Sequence, residues 1–438
     1  MLKAGVAKVD VTPPVGVRLG GYGGRVFPSL AVHDPLWARA LLLDDGERRV
    51  GMVALDLLGI SEDQMAEVRE AAASSAGIAP EGLLAAGSHT HSGPRRGGEG
   101  ATEQENGYWE TVPGKIVAAL EEAAEGLVPA RMGAASGWSA VGVNRREMMP
   151  CGKVELGRNH FGHFDSELGV VRIERADGTP LAAMLNYACH GICLPADNYL
   201  LTADYPGPTR HFFERRVGDG VTALFFNGAC GDVNPREAGV HHGLASGGGF
   251  HIAERAGRDL AREGAKVWQA IEPTEAVTLS FAHKKIELPT NRPRALRAAE
   301  EALKRAERAA AEPQEEWSPY EGWWSPPDPE GARTRVARLK EEGDAPVRCE
   351  IQAIATGPVA FVAWPGEIFS QLGVMAKQGS PFRPTYVIGY ANGSIGYVPT
   401  PEAFPEGGYE VDSAAHLADN AGLVLVEESL ALLVGLKR

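Results

Sequence analysis

The chain has 438 residues, 44% of them hydrophobic and 23% charged, with a formal net charge of −14 at pH 7. That length supports a large core in one or two domains, and the negative balance argues against nucleic acid or an anionic membrane as partner. No apolar run approaches the ~20 residues needed to span a bilayer, and the N-terminus enters a strand-like pattern at once, so no secretory signal is read and a cytoplasmic location is expected.

Residues 6–11 alternate like a strand and stop at Thr12-Pro13-Pro14. The glycine-rich stretch Leu19-Gly20-Gly21-Tyr22-Gly23-Gly24-Arg25 follows. No helix pattern comes after it, so it is not a dinucleotide fingerprint. A backbone lying close to a ligand, with Gly21 as the candidate contact, suits it as well as a plain loop does. Residues 37–43 and 50–57 read as paired strands around the turn Asp44-Asp45-Gly46-Glu47. Asp56, a lone carboxylate in an apolar strand, is expected to back a ligating histidine. A helix capped at Ser61 runs to about Ser75.

The organising stretch is Gly87-Ser88-His89-Thr90-His91-Ser92-Gly93-Pro94, which follows the short apolar run 82–86. If strand geometry persists, His89 and His91 project to one face, where two imidazoles can share a metal or divide the work of ligand and base. A helix near 104–125 comes next. Residues 128–188 return to strands, broken by Val143-Asn144-Arg145-Arg146-Glu147, where adjacent arginines can be solvated or can clasp a carboxylate or phosphate. A second buried strand, 181–188, ends at Cys189-His190-Gly191. The five cysteines, an odd count with no regular frame, read as reduced thiols.

Asp204-Tyr205-Pro206 opens a short helix. The strand 221–226 empties into Asn227-Gly228-Ala229-Cys230-Gly231-Asp232-Val233-Asn234-Pro235, in which Asp232 is a candidate substrate contact or simply shapes its own turn. A helix covers about 252–271. Residues 289–345 differ in character. Two charged helices flank a Pro/Gly-rich acidic loop holding Trp317, Trp323 and Trp324, which reads as an insertion that caps a groove or fills an oligomer contact. Two strands follow within 349–363, then a helix beginning at 364–369, a strand at 386–390, and a closing helix at about 413–433. Taken alone, Glu367 fits a first-turn helix acid and Tyr397 a packed turn aromatic. The fold class expected is α/β: mixed buried sheets flanked by helices, a metal site at strand ends, and a helical Trp-rich insertion within one catalytic domain spanning 1–438.

The constellation as a whole resembles the neutral/alkaline, non-lysosomal ceramidase family. Ser88-His89-Thr90-His91-Ser92-Gly93-Pro94 matches its most specific block, and Asn186-Tyr187-Ala188-Cys189-His190, Ala203-Asp204-Tyr205-Pro206-Gly207 and the 227–235 segment are similar to the blocks that follow. Pro365-Gly366-Glu367 and Tyr397-Val398-Pro399-Thr400-Pro401-Glu402 resemble the last two, and residues 4–14 fit the opening strand. The resemblance implies a zinc hydrolase acting on linear amides, ceramide being the family's substrate, with His89, His190, Glu367 and Tyr397 as zinc ligands. It further implies His91 as the histidine that polarises substrate and Tyr409 as an auxiliary tyrosine. The substrate-binding arginine falls on Arg145 or Arg146, with Arg146 preferred.

Zinc lowers the pKa of bound water to ~7 and so makes a nucleophile for an amide carbonyl. A phenolate from Tyr397 together with Glu367 nearly cancels the zinc charge, which makes a base such as His91 more necessary. Alternatively, His91 and Tyr409 donate hydrogen bonds to the tetrahedral oxyanion. The family's secreted members carry a signal peptide and an immunoglobulin-like domain, neither of which is read here. That bears on the substrate more than on the metal. Two other readings stand beside ceramide hydrolysis: a zinc hydrolase of a small soluble amide or ester, and a non-catalytic zinc-binding protein.

Overall fold

The computed structural model describes residues 1–437 except 23–24, 26, 98–99, 219, 239, 242–243, 246–247, 312–328 and 344. Its frame is an eight-stranded sheet and a four-stranded sheet. In the first, β1 (Lys3–Asp10), β2 (Trp37–Asp44), β3 (Arg49–Leu55), β4 (Leu83–Gly87), β5 (Val128–Trp138), β6 (Glu167–Arg175), β7 (Pro180–Tyr187) and β8 (Thr222–Asn227) lie in the order β8-β7-β6-β5-β1-β2-β3-β4. Only the outer pairs β3–β4 and β7–β8 are parallel. The second sheet is β9 (Leu279–Leu288), β10 (Val347–Thr356), β11 (Val359–Ala363) and β12 (Thr385–Ile388), with β11–β12 parallel.

Strand alternation builds four layers. Leu41, Leu43, Met52, Leu84, Met184, Leu224 and Phe226 face one way and meet Phe361, Tyr386 and Ile388 of the second sheet in a common core. Their neighbours Leu42, Val53, Leu83 and Ala85 face the other way, onto the helices Glu62–Ser75 and Glu103–Glu125. Phe225 and Ala223 meet the helices Pro206–Val217 and Phe250–Ala270 in the same manner. On the far side, Ala360 and Val362 pack under Ser370–Gly379 and Ala421–Lys437. Strands buried on both faces read as unbroken apolar runs rather than alternating ones, which is why the sequence shows them as such. Among the described residues, no helix is long and apolar enough to cross a membrane.

The expected helical insertion is present as Arg292–Ala311 and Pro329–Glu342, which pack together through Ala295, Ala299, Val336 and Leu339. Trp317, Trp323 and Trp324 lie outside the described residues. Two local expectations change. Residues 367–368 form a short strand paired in parallel with Tyr397–Val398, and the helix starts only at Ser370, so Glu367 is not a first-turn acid. The closing helix begins at Ala421, after a wide turn over Tyr409–Ala414.

Asp56 does not back a histidine. Its carboxylate takes two hydrogen bonds of 2.7 Å from the Arg210 guanidinium and one of 3.0 Å from the Trp37 amide, all in the interior. Removing one member of a buried pair strands the other charge at a cost of about 3–5 kcal/mol. Arg210→Met is therefore expected to lower the urea midpoint markedly. The double variant Asp56→Asn/Arg210→Met, which leaves no buried charge, is expected to recover part of that loss. A double variant less stable than the single one would contradict this account.

Candidate active site

The parallel strands of both sheets empty toward one edge, and the chemistry gathers there. β4 ends at Gly87, and Ser88 and His89 bond to the Leu55 and Leu57 carbonyls at 2.7 and 3.0 Å. β7 ends at Tyr187, three residues before His190. The two exits are stitched together: Thr90 bridges Gly191, and the His91 amide donates to the Gly191 carbonyl at 3.0 Å. Strand geometry does not persist through the motif, because His89 has φ +59°, a left-handed backbone that non-glycine residues adopt at a cost. His89 and His91 still meet, with ring centroids 5.0 Å apart, through this turn rather than by alternation.

His89, His91 and His190 are buried, and one ring nitrogen from each lies within 4.8 Å of the others. His89 Nδ1 sits 2.8 Å from the Leu58 carbonyl, and His190 Nδ1 sits 3.1 Å from the Val233 carbonyl. A carbonyl only accepts, so both Nδ1 atoms carry the proton and both Nε2 atoms present bare lone pairs. Yet those lone pairs face the Glu367 carboxylate, with Oε2 3.0 Å from His190 Nε2 and 3.5 Å from His89 Nε2. Acceptors opposed at that range need a positive charge between them. A second proton on His190 is a poor answer, since burial and the nearby Arg145 push that imidazole down to about 4. A metal cation satisfies the whole set, and buried neutral imidazoles with a carboxylate are its ordinary donors. Burial, then His89 and His190, also hold His91 well below the usual histidine range, and neither of its ring nitrogens has a hydrogen-bond partner among the described residues.

Tyr397 reaches the same place because it stands directly opposite Glu367 in the short parallel pair. Its hydroxyl oxygen accepts from Arg145 Nη2 at 3.0 Å. Arg145 is itself fixed by Glu410 through Nε at 2.7 Å and touches Asn234 Oδ1 at 3.3 Å. A cavity of ≈ 250 Å³ is lined by His89, His91, Glu367 and Tyr397, and also by Gly21, Arg145 and Tyr409. Gly21 is there for a steric reason: a Cβ on it would stand 2.3 Å from His91 Cγ, and its φ is +88°.

Two expected contacts lie elsewhere. The Arg146 guanidinium is consumed by Glu410, Glu406 and the Gly407 carbonyl, so of the two adjacent arginines it is Arg145 that lines the histidine cavity, and the preference for Arg146 is corrected. Asp232, buried and pushed up to about 6 by desolvation, accepts from the Ser370 amide at 2.7 Å and from Asn144 at 3.2 Å. There it serves the N-terminus of the helix Ser370–Gly379 and does not line the cavity. Sequence reasoning also missed Tyr390, which stacks on His89 at 3.9 Å with φ +56°, and Glu410, which anchors both arginines. A buried glutamate inside the turn Tyr409–Ala414 carries no local signal of that role.

Residues 2–247 match the model of a family described as neutral/alkaline non-lysosomal ceramidase, N-terminal. The chain is 27% identical over 245 residues to neutral ceramidase B of Dictyostelium discoideum, covering 51% of this chain and 34% of that protein. It is 26% identical over 259 residues to neutral ceramidase A of the same organism, covering 54% of this chain and 36% of that protein. The match thus spans about a third of the length of these relatives. The fold is that of the crystal structure of neutral ceramidase from Pseudomonas aeruginosa, with a TM-score of 0.76 at 19% identity over 100% of this chain and 74% of that one. A ceramidase complexed with C2 superposes equally well, with a TM-score of 0.76 at 19% identity over 100% of this chain and 75% of that one. With the family model matching more than half of its residues, the chain belongs to the neutral/alkaline non-lysosomal ceramidase family.

Proposed function

We propose that this chain is a metal-dependent amidohydrolase, with zinc as the ion, in which water splits a linear C–N amide into a carboxylic acid and an amine. The observation that supports this most is the opposition of the bare His89 and His190 Nε2 atoms to the Glu367 carboxylate across a cavity wall. His89, His190, Glu367 and Tyr397 would hold the ion. Such an ion supplies Lewis acidity, polarising a carbonyl and acidifying water.

The rest of the work falls to side chains. His91 is neutral at pH 7 and has both ring nitrogens free, so it can take a proton from the attacking water and return one to the leaving nitrogen. Tyr409 shares the cavity with Tyr397, their rings 5.8 Å apart, and its hydroxyl offers a hydrogen bond to the oxygen that becomes negative. Burial pushes the Tyr397 phenol well above its ordinary range, and Arg145, held by Glu410, offsets part of that through its hydrogen bond to the hydroxyl oxygen.

By family, the reference substrate is ceramide or another N-acyl lipid. A small soluble amide or ester is favoured instead by the cavity. Its ≈ 250 Å³ falls below the ~300–1,000 Å³ usual for small-molecule sites, and Leu58, Ile192 and Trp109 are its main apolar walls apart from the tyrosines.

Metal analysis of purified variants tests the division of labour. His89→Ala and His190→Ala are expected to lose the ion, whereas His91→Ala keeps it while turnover falls about 10²- to 10⁴-fold. Equal metal loss in all three would make His91 a ligand and sink its role as the base. Gly21→Ala is expected to behave like His91→Ala, retaining metal with impaired turnover, because the added methyl displaces the His91 ring. Turnover of a fluorescent ceramide compared with short N-acyl compounds decides the substrate. The cavity predicts higher kcat/KM for the short compounds, and a clear preference for ceramide would reject the second reading.

A further inference from the structure

The charged groups lining the catalytic cavity are Glu367, Arg145 and Arg96. Glu367 faces the histidines, and Arg145 is spent on Glu410, Tyr397 and Asn234. Arg96 has no hydrogen bond or ion pair among the described residues. It does not dangle from an unstructured loop. The Arg95 amide donates to the Arg18 carbonyl at 2.7 Å, and the Arg95 carbonyl accepts from Trp109 Nε1 at 2.7 Å. These contacts tie the loop to the buried helix Glu103–Glu125 on one side and the glycine-rich segment on the other. Arg96 is exposed, yet the protein around it desolvates the guanidinium enough to lower its pKa. Its guanidinium lies beside Gly59, where an added Cβ would stand in van der Waals contact with Arg96 Nη2 at 3.9 Å.

An arginine at the rim of a reaction cavity, with no anion paired to it among the described residues, has a substrate group as its natural partner. A single free guanidinium matches one planar carboxylate in bidentate geometry. The small cavity keeps that carboxylate within a few bonds of the reacting carbonyl. We propose that Arg96 selects substrates bearing a carboxylate close to the scissile amide, so that the compounds turned over are N-acylated amino acids rather than uncharged N-acyl lipids. The amide half of this statement rests on the hydrolase reading above. The anion half rests on Arg96 alone.

The test compares three probes on the metal-loaded full chain: N-hexanoylglycine, its uncharged twin N-hexanoylglycinamide, and N-hexanoyl-O-phosphoethanolamine. The wild type is expected to prefer the glycine acid. In Arg96→Gln the acid-to-amide ratio of kcat/KM is expected to fall about 10- to 100-fold, the size of a lost charged hydrogen bond, chiefly through KM. Arg96→Lys should fall in between. Arg95→Gln, on the same loop but outside the cavity lining, should keep the wild-type ratio. An unchanged ratio in Arg96→Gln, or a wild-type preference for the amide, overturns the proposal. A preference for the phosphate compound overturns the assignment to a carboxylate. If the wild type hydrolyses none of the three, the small-amide reading fails and equilibrium binding to the wild-type chain decides the anion claim. Tighter binding of the acid than the amide, lost in Arg96→Gln, upholds that claim, and equal binding rejects it.

Discussion

Asn392 holds the two sheets in the relation on which the site depends. Its backbone amide donates to the Ala85 carbonyl at 2.9 Å, and its side-chain oxygen accepts from the Ala85 amide at 3.1 Å, so it continues the edge of the first sheet. Its side-chain amide donates to Gln352 in the second sheet at 2.7 Å. The residue takes φ +58° to make all three bonds, a conformation asparagine tolerates better than most. Two residues earlier, Tyr390 accepts from the Gly87 amide and lays its ring on His89. The histidine block comes from the first sheet, whereas Glu367 and Tyr397 come from segments that follow strands of the second. This junction, with the Gly231 amide donating to the Ile368 carbonyl at 2.8 Å and the Gly389 amide to the Asn227 carbonyl at 2.9 Å, sets the distance between imidazoles and carboxylate.

Much of this was legible in the sequence, and the parts that were not share a cause. Apolar strands ending in His89 and His190 stood out, because burial on both faces writes continuous hydrophobic runs and a metal site needs side chains that such runs do not contain. The family blocks brought Glu367 and Tyr397 into the same set, and the parallel pairing of those two residues supplies the physical reason. What local reading misassigned were charged residues whose partners lie far along the chain. Asp56 pairs with Arg210, Arg146 with Glu410, and Asp232 with Ser370. Asp56 was read as a site residue because a lone carboxylate in an apolar strand needs a reason, Arg146 through the family resemblance and Asp232 through its turn, and in each case the partner is a residue 138 to 264 positions away. Spacing and periodicity carry no information about such pairs.

The electrostatics of the floor follow from one acid serving two arginines. Glu410 is fully buried and takes Arg145 on one carboxylate oxygen and Arg146 on the other. Two guanidinium charges against one carboxylate leave a positive surplus. Arg146 directs its share to Glu406 and the Gly407 carbonyl, whereas Arg145 directs its share at Tyr397 and toward His190. That surplus helps keep His190 neutral and draws electron density toward the Tyr397 oxygen. Both effects make better donors for a cation, and neither is visible from the ligands themselves.

The mouth of the cavity is built from a different part of the chain than the floor, and the two carry different information. The floor uses strand exits held by backbone hydrogen bonds, where a substitution would disturb both folding and chemistry. The mouth is formed where the loop after the histidine block packs beside Gly21 and Gly59, and a side chain there can change without moving a strand. A fold can keep one reaction and change its substrate in this way, because the reacting atoms see only the floor while the rest of the substrate meets the rim. For this chain the rim presents the guanidinium of Arg96. In the reading proposed above, the floor decides the bond that is broken, and the rim decides the molecule that contains it.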